Sequence, residues 1–169
     1  ALYPSSHESA TDKEIEELVE LRMRRQEELF DRPDPPEMVF VIDEAALQRW
    51  VGGRDVMRHQ LKRLKTEALR DNVTIDVVPF TAGSHPGLFG GPFVILEFAD
   101  ERDEDILFLE NVRGDGGDIF RDEQMEVAPY RETFAQLRDL AHRTDLEAVI
   151  ERALKEMSES DRSNTVETR

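Results

Sequence analysis

Four short runs of apolar, mostly β-branched residues limit what this chain can fold into. They lie at Met38–Asp43, Val73–Phe80, Phe93–Phe98 and Ile106–Val112. Runs of this length and composition are typical of buried strands. A short edge strand is also expected at Ile119–Arg121, because a glycine-rich turn precedes it.

The segments on either side of these runs have apolar residues at helical spacing. Capping boxes at Thr11-x-x-Glu14 and Thr144-x-x-Glu147 predict the starts of two helices. The order of elements predicts an α+β fold, in which a mostly antiparallel sheet of about four to five strands packs with about five helices. The expected helices are 11–30, 44–51, 55–69, 125–141 and 144–157.

The length of 169 residues fits one domain. The charged fraction of 36% is high and the hydrophobic fraction of 38% is low, so part of the chain is expected to be solvated. We expect a flexible lead-in at 1–10, a single domain at 11–157 and a disordered tail at 158–169, because both ends lack apolar periodicity.

The charge balance excludes several classes of partner for these residues. Asp and Glu number 38 against 22 Lys and Arg, for a net charge of -16. Such acidity disfavours binding to a nucleic-acid backbone or to an anionic membrane surface. No apolar run approaches the length of a membrane-spanning helix. The absence of cysteine excludes disulfides, thiolate catalysis and cysteine-type zinc sites, and it is compatible with the cytoplasm.

No motif for metal, phosphate or nucleophilic chemistry is present. The four histidines lack metal-ligand spacing, and neither a P-loop nor a G-x-S-x-G sequence occurs. We therefore expect no metal, no cofactor and no catalytic group. His85 differs from the other histidines because it lies in the glycine-rich loop Thr81–Pro92. Such loops often carry binding residues, although Ser84–Gly87 also reads as a simple turn.

Several charged residues lie where apolar ones are expected. Arg22 and Gln26 fall within the apolar stripe of the first helix. Glu44 follows the first strand, and Glu97 and Glu110 lie inside strands. Alternation along a strand favours exposed carboxylates. The other interpretation pairs them with Arg22 or Arg25, either as a structural ion pair or in a ligand pocket.

Five ordered motifs resemble one known family. They are R-M-R-R-Q at 22–26, V-I-D-E-A-A-L at 41–47, V-G-G-R-D-V-M-R-H-Q-L at 51–61, V-T-I-D-V-V-P-F-T-A-G-S-H-P-G at 73–87 and G-P-F-V-I-L-E-F at 91–98. Together they resemble the C-terminal domain of unknown function of actinobacterial Xre-like helix-turn-helix regulators, which are described as antitoxin-like. The resemblance extends from about Ala1 to about Met157.

The resemblance implies a regulatory domain that binds an effector or a partner. Its partner would be a small toxin-like protein or a small molecule, and DNA would be bound only by an N-terminal helix-turn-helix domain that this chain lacks. The family has no established catalytic residue. The candidate ligand- or partner-binding residues are the polar residues of the motifs and strands: Arg22, Arg25, Gln26, Glu44, Gln60, His85, Glu97 and Glu110.

Two alternatives remain open at this point. The chain is a dimerisation module if the apolar stripe of the last helix, which includes Val149, Ile150 and Met157, meets a second copy. It is a small hydrolase that uses Glu97, Glu110 and His85 if His85 lies within hydrogen-bond reach of a carboxylate in a cleft. We expect no enzymatic activity.

Overall fold

Six α-helices and five β-strands follow one another in a computed structural model, which describes residues 11–100, 102–109, 119–121 and 124–166. The helices are α1 (Asp12–Phe30), α2 (Glu44–Gln48), α3 (Arg54–Glu67), α4 (Gly87–Gly90), α5 (Gln124–Ala141) and α6 (Leu146–Val166). The strands are β1 (Met38–Asp43), β2 (Val73–Val78), β3 (Phe93–Leu96), β4 (Ile106–Leu109) and β5 (Ile119–Arg121), and a 3-10 turn spans Phe80–Ala82.

The strands form two small sheets, so the prediction of one mostly antiparallel sheet is wrong. β1 and β2 make a two-stranded parallel sheet, and β3, β4 and β5 make a separate antiparallel sheet. The α+β class is as expected, with six α-helices rather than about five.

Helices α2 and α3 explain why β1 and β2 are parallel. A helical connection returns the chain to the end of the sheet from which it started, whereas a tight turn would reverse its direction. The two strands pair in register from Met38 opposite Val73 to Asp43 opposite Val78. The carboxyl ends of both strands therefore lie side by side.

The described chain divides into two compact units. The divisions fall after Glu37, after Gly90 and after Val127. The first unit contains α1 and β3–β5, and the second contains β1, α2, α3, β2, α4, most of α5 and α6.

The core of the second unit lies between the parallel sheet and the helices. Its main cluster consists of buried side chains from α2, α3, β2 and α6: Leu47, Met57, Leu61, Val77, Val149, Ile150, Ala153 and Met157. A second cluster joins Val78 of β2 to Leu137 and Ala141 of α5. The helical spacing of the α6 residues places all four of them on one face of the helix.

Helix α1 of the first unit begins as the sequence predicts. The Thr11 hydroxyl accepts a hydrogen bond from the Glu14 N–H at 3.3 Å, and the Glu14 carboxylate accepts one from the Thr11 N–H at 2.7 Å. The apolar stripe of this helix is exposed, with Leu18 and Val19 more than half accessible.

Helix α6 differs from the expectation at both ends. Asp145 rather than Thr144 caps it, since the Asp145 carboxylate accepts from the Glu147 N–H at 2.9 Å. The helix continues to Val166, past the residue at which the sequence predicts a tail. The predicted lead-in at 1–10 lies outside the described residues.

Candidate functional site

Polar side chains gather where the parallel strands end. β1 ends at Asp43, Glu44 begins α2, and the chain leaves β2 through Pro79 into the 3-10 turn at Phe80. Parallel sheets with helical connections commonly bind ligands at the carboxyl ends of their strands. We refer to this part of the second unit as the carboxyl edge.

Glu44 is a buried polar group at the carboxyl edge. The residue is only 5% exposed. Its Oε2 accepts a hydrogen bond from the Phe80 N–H at 2.9 Å, and its Oε1 accepts one from Nη2 of Arg152. A buried carboxylate is costly unless it is paired and hydrogen-bonded, and both oxygens of Glu44 meet that requirement. The side chain thereby joins α2, the 3-10 turn and α6.

A shallow pocket of about 440 Å³ opens above this carboxylate. Its lining residues come from α2, the 3-10 turn and α6: Glu44, Gln48, Phe80, Thr81, Arg152 and Glu156. The side chain of Arg152 is 52% exposed, whereas that of Glu44 is almost covered. Phe80 is 59% exposed. The pocket therefore combines an accessible cation with an accessible aromatic ring.

Asp43 and His85 bind each other and hold the loop that follows the 3-10 turn at the carboxyl edge. Asp43 Oδ1 accepts from the Ala45 N–H at 2.7 Å and caps α2, while Oδ2 lies 2.9 Å from His85 Nε2. Because a carboxylate only accepts, Nε2 carries the hydrogen of this bond. His85 is 7% exposed, and its Nδ1 has no hydrogen-bond partner among the described residues.

The surroundings of Nδ1 are tight. A Cβ atom added at Gly87 would lie 3.3 Å from this nitrogen and 3.2 Å from Cδ1 of Leu137. Asp43 and His85 are not lining residues of the pocket. The pair therefore holds the loop in place from beneath rather than facing a ligand.

Lys65 connects α3 to α6, the helix that carries Arg152. Its ammonium group binds the Glu147 carboxylate and lies 3.3 Å from that of Glu151. Hydrogen bonds to Glu147 and then to Glu151 raise the pKa of Lys65 above its ordinary value. This network lies on the surface and helps to position α6.

Residues 1–167 match the family described as Domain of unknown function (DUF5753). The chain belongs to the DUF5753 family. No curated protein and no solved structure matches it significantly. The carboxyl edge is thus a candidate site in a domain whose family carries no described function.

Two of the residues predicted from the sequence of this DUF5753 domain lie at the carboxyl edge. Glu44 lines the pocket, and His85 is buried just after the 3-10 turn, where it is bound to Asp43. Gln60 belongs to the same unit but is exposed on α3.

The other predicted residues belong to the first unit or are not described. Arg22, Arg25 and Gln26 are exposed on α1. Glu97 is exposed directly after β3, and Glu110 lies outside the described residues. Within its own unit, Glu44 is paired with Arg152, a partner that the sequence did not indicate.

Sequence reasoning missed most of the pocket. The residues it overlooked are Gln48, Phe80, Thr81, Arg152 and Glu156, together with Asp43 beneath the loop. One signal was available: two buried strands joined by helices predict a parallel pair, and residues following such strands are candidate ligand-binding residues. No local sequence pattern identifies Arg152 as a pocket residue, because its position in the pocket depends on the packing of α6.

In the described part of the chain, no helix is both long and apolar enough to cross a membrane. The same residues contain no cluster of three or more His, Asp or Glu side chains arranged to hold a metal ion.

Proposed function

We propose that this chain is the effector- or partner-binding domain of a cytoplasmic bacterial transcription regulator. In this proposal the regulator is of the actinobacterial, Xre-like helix-turn-helix type, and a separate module reads DNA. Three observations support it: the five ordered motifs, the net charge of -16, and the pocket at the carboxyl edge. The acidic balance favours a separate basic module, because DNA binding depends on contacts from Lys and Arg to phosphates.

The single observation that carries the proposal is the pairing of Glu44 with Arg152 on the pocket wall. Apolar residues of similar volume often stabilise a protein as well as a buried ion pair does. Stability alone therefore gives little reason to place this pair here. A guanidinium held by a buried carboxylate and half-exposed to a pocket is suited to orienting a ligand.

The buried state of His85 favours binding over hydrolysis. General acid–base catalysis needs the titrating nitrogen within reach of the substrate. Nε2 of His85 is engaged by Asp43, and Nδ1 is buried beside Gly87 and Leu137. Neither nitrogen is placed to exchange a proton with a molecule in the pocket.

The packing of α6 also weighs against a purely dimerising role through its apolar stripe. Val149, Ile150 and Met157 are at most 4% exposed in the core of their own unit. A second copy could contact this stripe only if the core opened. A homodimer through another surface remains compatible with the proposal.

The test is a thermal-shift and calorimetric screen of the chain against metabolites and against a small partner protein encoded beside its gene. We expect at least one binder that raises Tm, and we expect the shift to disappear in Arg152→Gln. Lys155→Gln is the matched control, since Lys155 is on the same helix but does not line the pocket. Failure of every metabolite and partner to bind the wild-type chain would contradict the proposal.

A further inference from the structure

Arg152 has hydrogen-bonding capacity that the described residues do not use. A guanidinium offers several N–H donors in a planar fork. Within the described residues, the guanidinium makes one hydrogen bond, to Glu44. Glu44 is in turn fixed by the Phe80 N–H. The cation is therefore oriented before any ligand arrives, and its remaining donors are accessible in the pocket.

The other residues that line the pocket determine which groups of a ligand can bind beside Arg152. Each oxygen of Glu44 accepts a hydrogen bond and the side chain is only 6% exposed, so this carboxylate is poorly accessible to a ligand cation. Thr81 and Gln48 line the pocket with a hydroxyl and an amide, both of which donate hydrogen bonds. The exposed Phe80 ring presents an aromatic face.

We infer that the pocket binds an aromatic carboxylate, and this inference rests on the proposed function. The carboxylate of the ligand accepts two parallel hydrogen bonds from the planar Arg152 guanidinium, in the bidentate geometry of arginine–carboxylate pairs. The aromatic group stacks against Phe80. A pocket of about 440 Å³ accommodates a molecule of this size.

Glu156 gives the inference a distinctive signature. This carboxylate lies on α6 four positions after Arg152 and lines the same pocket, where its charge opposes a bound anion. Glu156→Gln should therefore strengthen the binding of an anion and weaken that of a cation. A purely steric pocket would show neither effect.

The experiment compares three probes with the same ring and different head groups: benzoate, benzylamine and benzyl alcohol. Titration calorimetry on the wild-type chain should detect benzoate alone, or benzoate most tightly. Arg152→Lys keeps the charge beside Glu44 but loses the fork, so benzoate affinity should fall by about tenfold. Phe80→Ala keeps the N–H that binds Glu44 and should weaken all three probes.

The controls separate folding from binding. Lys155→Gln should bind benzoate like the wild type, and circular dichroism should show that Arg152→Lys remains folded. Glu156→Gln retains both Glu44 contacts, so it tests the charge effect even if the Arg152 variant fails to fold.

Two sources of an aromatic carboxylate are distinguished by peptides. A tripeptide ending in phenylalanine is compared as the free acid and as the C-terminal amide. If the free-acid tripeptide binds more tightly than benzoate, the natural ligand is the carboxyl terminus of a partner protein. If benzoate binds more tightly than the tripeptide, the natural ligand is a small aromatic acid. Both results support the inference, whereas an amide that binds as tightly as both the free acid and benzoate overturns it.

Tighter binding of benzylamine than of benzoate, or no binding of any probe, also overturns the inference. The proposed function is judged separately. It survives either result if the screen against metabolites and partner protein finds a binder that Arg152→Gln abolishes.

Discussion

The Arg152 guanidinium donates a hydrogen bond to the Glu44 carboxylate across 108 positions of sequence. Glu44 comes directly after the first strand, whereas Arg152 is on the last helix. Through this bond and the Phe80 N–H, one buried side chain fastens α6 and the 3-10 turn to α2. The stability of the second unit and the shape of the pocket should therefore respond together to changes at Glu44.

Glu44→Ala should lower the free energy of unfolding by about 2 kcal/mol, because it leaves the Phe80 N–H and the Arg152 guanidinium without their acceptor. Glu44→Gln should lower it less, since the amide oxygen can still accept from Phe80. Urea denaturation measures both values. Asp139→Ala, at an exposed position on α5, is the control and should change the free energy of unfolding little. Equal losses of stability in the two alanine variants would show that Glu44 does not hold these elements together.

Asp43→Ala should destabilise the protein by about 1–2 kcal/mol, because Asp43 both caps α2 and holds His85. Asp43→Asn can keep the cap through its amide oxygen and should lose less. Thermal unfolding ranks the variants. Limited proteolysis between residues 81 and 90 should proceed faster in the alanine variant, and unchanged cleavage there would argue against a role for the pair in holding the loop.

Gly87→Ala should lower the free energy of unfolding by about 1 kcal/mol. The new Cβ would lie 3.2 Å from Cδ1 of Leu137 and 3.3 Å from Nδ1 of His85, so buried neighbours would have to shift. Gly90→Ala is the matched control, since nothing lies within 4 Å of a Cβ at that position. Chemical denaturation should separate the two variants; if both behave alike, the loop is not packed as described.

Lys65→Met should lower stability slightly at neutral pH, because it removes the ion pairs with Glu147 and Glu151. The pKa of Lys65 is raised in the folded state, so its stabilising contribution is present below the ordinary lysine pKa of 10.5. The contribution is lost as pH rises through the higher folded pKa. The difference between wild type and variant should therefore vanish in strongly alkaline solution.

The same difference should shrink in high salt, since surface ion pairs are screened. Lys62→Met is the control, because Lys62 is exposed on the same helix and makes no described ion pair. Thermal unfolding across pH and salt provides the measurement. A deficit for Lys65→Met that persists unchanged at alkaline pH would show that packing, rather than charge, stabilises this position.

Local structure was predictable because local interactions determine it. Strand β1 occupies the predicted residues Met38–Asp43, and the capping box at Thr11 and Glu14 forms as its motif indicates. Such features depend on side-chain type and on neighbours a few positions away. The short helix α4 escaped prediction, because glycine and proline composition favours a loop at Gly87–Gly90.

The sequence by itself determined the α+β class, the strand positions, the acidic balance and Glu44 and His85 as candidate site residues. Only the tertiary structure decided that the strands form two sheets and that Arg152 binds Glu44. The reason is physical: the choice of partners depends on how distant segments pack together. No pattern of neighbouring residues encodes that packing on its own.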